Sequence, residues 1–296
     1  LAELRSGAVD FYMKVLPSQL DRVGEDAGLR LVTFPFASYG FVGWNSRRPY
    51  FGEAGVRRAI TMAIDRREVI DVALNGLGRP ATGPIGPWHW AYDSTWRPLA
   101  HDPDSARAIL DRHGWRDTDG DGIRQKDGTD FRFDLSTNDT RRRRDVAVLI
   151  QSHLAEVGIA ARPRVREYAS LVQAVTSPER DFDAVVLSFQ PDLVVDDRDL
   201  WSCDRMDQPF QFTSYCDSAV DAVLDSIPRS VERDRRRRLL RRYNELIQRD
   251  QPYTFLFFED RADGLRTGLR GVEMDARGEL VGVADWWVHP AERRSR

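Results

Sequence analysis

Apolar positions along this chain repeat at two spacings, and the spacing switches many times between the ends. Alternation over residues 29–34 and 131–135 predicts half-buried strands. Residues 9–13 and 159–165 read as further strands, and the unbroken apolar run 253–258 predicts a strand covered on both faces. Between them the period lengthens. Val56, Ala59, Ile60 and Ala63 recur at i, i+3, i+4 and i+7, which makes one buried helical stripe. Asp65 is placed to cap a second helix, with Glu68 at the capping-box position and Val69, Ile70, Ala73 and Leu74 as its apolar face; Gly76 ends it. Asp102 and Pro103 open another helix, which Gly114 stops. Residues 17–26, 141–157 and 168–175 read as helices too. Residues 219–227 and 231–249 form two more, separated at Pro228, and the tail 292–296 is expected to fray. Strands mixed with helices throughout indicate an α/β fold.

A chain of 296 residues can hold one large core or two domains. Its 41% apolar and 31% charged residues are those of a globular protein, and a net charge of -3 supplies no overall attraction to nucleic acid or to an anionic membrane. Among 44 basic residues only Lys14 and Lys126 are lysines; we read this as the base composition of a GC-rich genome. No run of about 18 apolar residues occurs, so no transmembrane helix is expected. Glu3, Arg5 and Asp10 interrupt any signal-like core near the start. Residues 79–98 are rich in Pro, Gly and Trp and predict an ordered loop, because tryptophans this dense need a surface to pack on.

Chemistry narrows further. Asp117-Thr-Asp-Gly-Asp-Gly122 resembles a calcium loop, but position twelve is Gly128 where a bidentate Glu is needed, so a Gly/Asp turn with no metal is the better reading. Arg141–Arg144 and Arg235–Arg238 lack interleaved aromatics and read as solvated helix faces. The five histidines stand near no GxSxG serine and in no HExxH. No catalytic residue and no cofactor are therefore expected. Cys203 and Cys216 flank one loop, where they fit either a disulfide in an oxidising compartment or two buried thiols.

The segment that stands apart is the acidic, aromatic loop 189–201. It directly follows an apolar strand, where α/β folds place ligands. A carboxylate there, among aromatics, suits an ammonium group. Asp192 is the first candidate contact and Asp196 the second, with Phe189, Gln190 and Trp201 beside them. Trp88 and Trp90 offer an aromatic wall elsewhere, and Trp44 and Asn45 complete the candidate set.

Several motifs stand in order along nearly the whole chain: Pro49-Tyr-Phe51, Val56-Arg-Arg-Ala-Ile60, Ala63-Ile-Asp-Arg66, Asn75-Gly76, His101-Asp-Pro-Asp104, Ser214-Tyr215-Cys216-Asp217 and Gln251-Pro-Tyr253. The ordered set resembles the family 5 extracellular solute-binding proteins, the receptors of ABC importers for peptides and nickel chelates. The resemblance implies a type II periplasmic-binding-protein-like fold, two lobes joined by crossing strands, with the first lobe incomplete here. Residues 1–43 would be a remnant of that lobe, 44–257 the second lobe and 258–296 the return segment, with the apolar run 39–44 at the crossing. A signal sequence and much of the first lobe would precede residue 1, so this chain alone should bind ligand weakly.

The resemblance further implies capture of an oligopeptide or other small solute and delivery to ABC permease subunits. It implies a monomer with no nucleic acid, in the periplasm or held outside the membrane by an anchor. Asp192 falls where the family receives a peptide's α-amino group. Ser188-Phe189 replaces the usual Gly-Trp pair, and Gln211 and Ser214 also depart from the pattern, which keeps sugars and metal chelates open as ligands. A cytoplasmic transcription regulator using this lobe as a sensor is the alternative outside transport.

Overall fold

The computed structural model describes residues 1–192 and 194–290; the tail expected to fray lies outside them. In chain order, α1 (Ala2–Ser6), β1 (Phe11–Tyr12) and α2 (Leu20–Gly24) lead into the long strand β2 (Leu29–Trp44). Next come α3 (Ala54–Ala63), α4 (Arg66–Leu74), β3 (Gly78–Pro80), α5 (Pro103–Arg112) and a hairpin of β4 (Gln125–Lys126) and β5 (Thr129–Asp130). Then follow β6 (Arg132–Asn138), α6 (Arg141–Ala155), β7 (Ala160–Arg166), α7 (Tyr168–Thr176) and β8 (Ala184–Phe189). The chain finishes with α8 (Arg198–Trp201), α9 (Ser218–Arg229), α10 (Arg233–Asp250), β9 (Tyr253–Arg266), β10 (Leu269–Arg270) and β11 (Trp287–Val288).

One seven-stranded sheet, in the order β1-β9-β2-β8-β6-β7 with β3 also on β9, organises these elements. β6 runs parallel to β7 and β8, and the remaining pairs are antiparallel. The strand expected at 29–34 and the crossing expected at 39–44 are one strand. β2 pairs with β9 along most of its length, from Leu29 opposite Arg266 to Gly43 opposite Tyr253, with register shifts between Pro35 and Tyr39 and between Gly40 and Phe41. Pro35 has no N–H for the ladder, so residues 36–38 bulge and pairing resumes beyond them.

Alternation along β2 feeds two cores. Val42 and Trp44 join Phe51, Phe131, Phe133, Ile150 and Leu154 on one face. Tyr39 and Phe41 join Trp201, Leu240, Tyr243, Tyr253 and Phe255 on the other. At the far end of the long pair, Leu4, Val15, Val23 and Leu29 form a separate small core. Gly40 lies opposite Phe257, whose ring occupies the space a Cβ at that position would need.

Two expected details change. Asp65 caps α4 through the amides of Arg67 and Glu68, but Glu68 does not close a capping box. Its carboxylate instead meets His153 Nε2 on α6 at 2.6 Å. Pro228 does not separate two helices; it sits in the last turn of α9, which ends one residue later at Arg229.

Candidate functional site

β6 and β8 are parallel and end side by side, at Asn138 and Phe189. Such carboxyl ends open onto a crevice, because the sheet stops there while the flanking helices and loops continue. Here the crevice has a volume of about 410 Å³. Its walls are Phe36 and Ser38 from the β2 bulge, Arg142 and Arg143 from the first turn of α6, Phe189 and Gln190 from the end of β8, and Glu259 and Arg261 from β9.

Most of the charge here is already paired. Arg142 meets Glu259 at 2.9 Å, and Arg261 meets Glu279 at 3.0 Å while its guanidinium stacks over Phe36 at 3.1 Å from the ring centre. Arg143 is different: it is half-buried and has no hydrogen bond or ion pair with any described residue. Burial and the neighbouring Arg142 lower its pKa. A half-buried guanidinium with no ion pair of its own favours a ligand carboxylate or carbonyl.

The loop after β8 is fixed at both ends. Phe189 packs on Tyr39 with ring centres 5.7 Å apart. At the other end the Tyr243 hydroxyl donates to the Asp197 carboxylate and accepts from Trp201 Nε1 at 2.7 Å. Burial pushes the Asp197 pKa up to about 6, with the charges of Asp196 and Asp192 adding to the shift. Asp196 grips Arg198 through both oxygens, at 2.7 and 2.6 Å, and this hydrogen bonding holds it below its ordinary pKa. Asp192 is exposed. Of the loop's four carboxylates, Asp196 and Asp199 are paired with arginines, Asp197 is half-buried and Asp192 is open to solvent.

Three sequence candidates are corrected. Trp201 is fully buried, edge-on to Tyr253 at 4.6 Å, and anchors the loop from below. Trp44 is fully buried between Phe51 and Phe133 and donates to Thr254 Oγ1 at 3.1 Å. Asn45 spends its amide on the carbonyls of Arg180 and Phe182 and accepts from the Arg47 amide. Large aromatics and an amide at a strand end found core partners, and none of the three lines the crevice.

Phe189 and Gln190 do line it. Trp88 and Trp90 line another groove, of about 420 Å³, with Pro35, His89 and residues 275–277. Phe36, Ser38, Arg143, Glu259 and Arg261 were missed. The solvated face expected of Arg141–Arg144 holds for its two ends, while Arg142 and Arg143 turn into the crevice, because the strand-to-helix junction places the run at the carboxyl edge of the sheet.

Cys203 and Cys216 are joined by a disulfide. Asp117, Asp119 and Asp121 bring oxygens within 4.8 Å of one another, all exposed. Those oxygens accept from the amides of Gly120, Gly122, Asp121 and Ile123 and from Arg132, as in a self-stapled turn. No helix among the described residues is long and apolar enough to cross a membrane.

Known proteins share this fold. The profile of the bacterial extracellular solute-binding proteins, family 5 Middle, matches residues 1–208. The oligopeptide-binding protein AppA of Bacillus subtilis is 28% identical over 291 residues, covering 97% of this chain and 53% of that protein. Protein XP55 of Streptomyces lividans is 32% identical over 292 residues, covering 90% of this chain and 50% of its own length. The solved structure of B. subtilis AppA with a nonapeptide superposes with a TM-score of 0.83, over 97% of this chain and 57% of that one. The chain spans about half the length of the curated relatives it matches.

Proposed function

Because the chain belongs to the bacterial extracellular solute-binding proteins of family 5, we propose that it captures a peptide, or a similarly small zwitterionic solute, and delivers it to the permease of an ABC importer. It would do so without chemistry of its own, as a binding component. The observation that carries this reading is the crevice at the joined ends of β6 and β8. Arg143 lines it without a hydrogen bond or ion pair, and the exposed Asp192 stands two residues beyond Gln190, which also lines it. An arginine without an ion pair in the crevice and a carboxylate on the loop that follows Gln190 suit a ligand with separated ammonium and carboxylate groups. The nonapeptide bound by B. subtilis AppA supports peptide as the ligand class.

In this proposal residues 1–43 and 258–296 belong to one lobe and 44–257 to the other, with β2 and β9 crossing between them. Ligand bridging the lobes would favour the closed state by its differential affinity for it. Asp192 receives the ammonium, and Phe189 and Gln190 bound its neighbourhood. The disulfide supports an oxidising, extracytoplasmic location, with a monomeric protein held near the membrane by an anchor or by the permease.

A thermal-shift screen of the protein carrying this chain, against di- to pentapeptides, sugars and metal chelates, tests the proposal. Stabilisation by peptides is expected. Stabilisation by sugars or chelates alone would replace the ligand class, and none by any solute would remove the receptor reading.

A further inference from the structure

The first half of α10 carries an arginine run that the crevice does not use. Eight arginines fall between residues 229 and 242, against only Glu232 and Asp234. Arg238 reaches Glu232 at 3.8 Å, and Arg241 and Arg242 find Asp93 and Glu245. Arg236 turns back to the Ser230 carbonyl. Arg229, Arg233, Arg235 and Arg237 have no acidic partner among the described residues. The run lacked interleaved aromatics in sequence, but the fold supplies one. Trp90, from the loop after β3, lies under the guanidiniums of Arg233 and Arg237, at 5.0 and 5.6 Å from their carbons to the ring centre. Trp90 keeps 38% of its surface exposed, and Val231, at the same end of α10, keeps 95%.

We propose that this end of α10, with Trp90 and Val231, is a docking surface for an anionic lipid bilayer. Arginines occupy five of the six positions 233–238, so their charges spread around the exposed helix circumference and do not converge on a pocket. A convex, spread charge matches a plane of headgroups better than it matches one acidic side chain or a groove. Tryptophan and a small apolar side chain among arginines are the residues that enter the headgroup boundary, the arginine stems lying flat beneath their charged ends. The net charge of -3 belongs to the whole chain; within a Debye length of a surface the local run governs. Docking would hold the protein against the membrane that contains its permease, and it stands apart from the identity of the ligand.

Co-sedimentation of the chain with vesicles tests this directly. Vesicles of phosphatidylglycerol with phosphatidylcholine should hold about tenfold more protein than phosphatidylcholine alone at roughly 0.05 M salt, and should lose it near 0.5 M. The triple substitution Arg233→Gln/Arg235→Gln/Arg237→Gln should abolish that preference, and Lys at the same three positions should retain most of it. Arg141→Gln/Arg144→Gln, in the other arginine run, should leave binding unchanged. Trp90→Ala should weaken vesicle binding but not binding to soluble polyaspartate. Equal binding to both vesicle types, or full binding by the Gln variant, overturns the proposal. Polyaspartate binding as tight as vesicle binding, with Trp90 indifferent to both, would assign the surface to an acidic protein.

Discussion

The Asp197 carboxylate belongs to the candidate ligand loop, hydrogen-bonded to Tyr243 and close to Asp192 and Asp196. Burial raises its pKa to about 6, against roughly 3.9 for an unfolded Asp. The folded state therefore keeps a proton over that interval while the unfolded state has lost it. The stability this proton supplies is complete below about pH 4 and disappears as pH rises through about 6, at most about 3 kcal/mol. Urea unfolding of Asp197→Asn should lack this fall between pH 4 and 6 relative to wild type, and a parallel pH dependence in the two proteins would contradict it. Arg57 is a second case. It is 3% exposed and donates to the carbonyls of Phe51, Gly52 and Asp250. Arg57→Ala strands those acceptors, so a loss of about 3 kcal/mol is expected in the same assay; a loss below about 1 kcal/mol would mean that water replaces the guanidinium. Neither role was legible in the sequence, because Tyr243 and Asp250 meet these residues only after the chain has folded back on itself.

The long pair of β2 and β9 sets the geometry of the site, since both strands pass through the crevice wall at Phe36–Ser38 and Glu259–Arg261. Local pattern displayed β2 as two fragments, because period two breaks at the Pro35 bulge while the backbone continues. It located the loop after β8 correctly, since an apolar strand followed by clustered acids is a local signal. It could not supply the opposite walls, which come from residues far away in the chain. Gly40 is where the pair is tightest: Gly40→Ala must displace the Phe257 ring and should cost about 1–3 kcal/mol, lowering Tm by a few degrees. An unchanged Tm would show that the ring moves freely. The Cys203–Cys216 disulfide closes a loop with a sequence separation of 13 between α8 and α9. Replacing both by Ser should lower stability by about 3 kcal/mol, read by denaturant unfolding beside the reduced wild type. Equal stability of oxidised wild type and the double variant would contradict that.

At the scale of the molecule, two large cores cover the faces of one sheet and a small third core sits at the far end of the β2–β9 pair. The ordered motifs made the family legible because they mark strand ends, caps and turns that this fold repeats. They could not assign Trp44, Asn45 and Trp201 correctly, since whether an aromatic faces core or crevice depends on packing from both sides of the sheet. In the proposed mode of capture a zwitterionic ligand sits between Asp192 and Arg143. Its most direct test is calorimetric titration, with the protein carrying this chain, of one stabilising peptide and of its N-acetylated form, using wild type and Asp192→Ala. Loss of the ammonium and loss of Asp192 should each weaken binding by about 1.5–3 kcal/mol, and the two losses together should cost little more than either one. Equal affinity for free and acetylated peptide, or an Asp192→Ala protein that still distinguishes them, would contradict the claim.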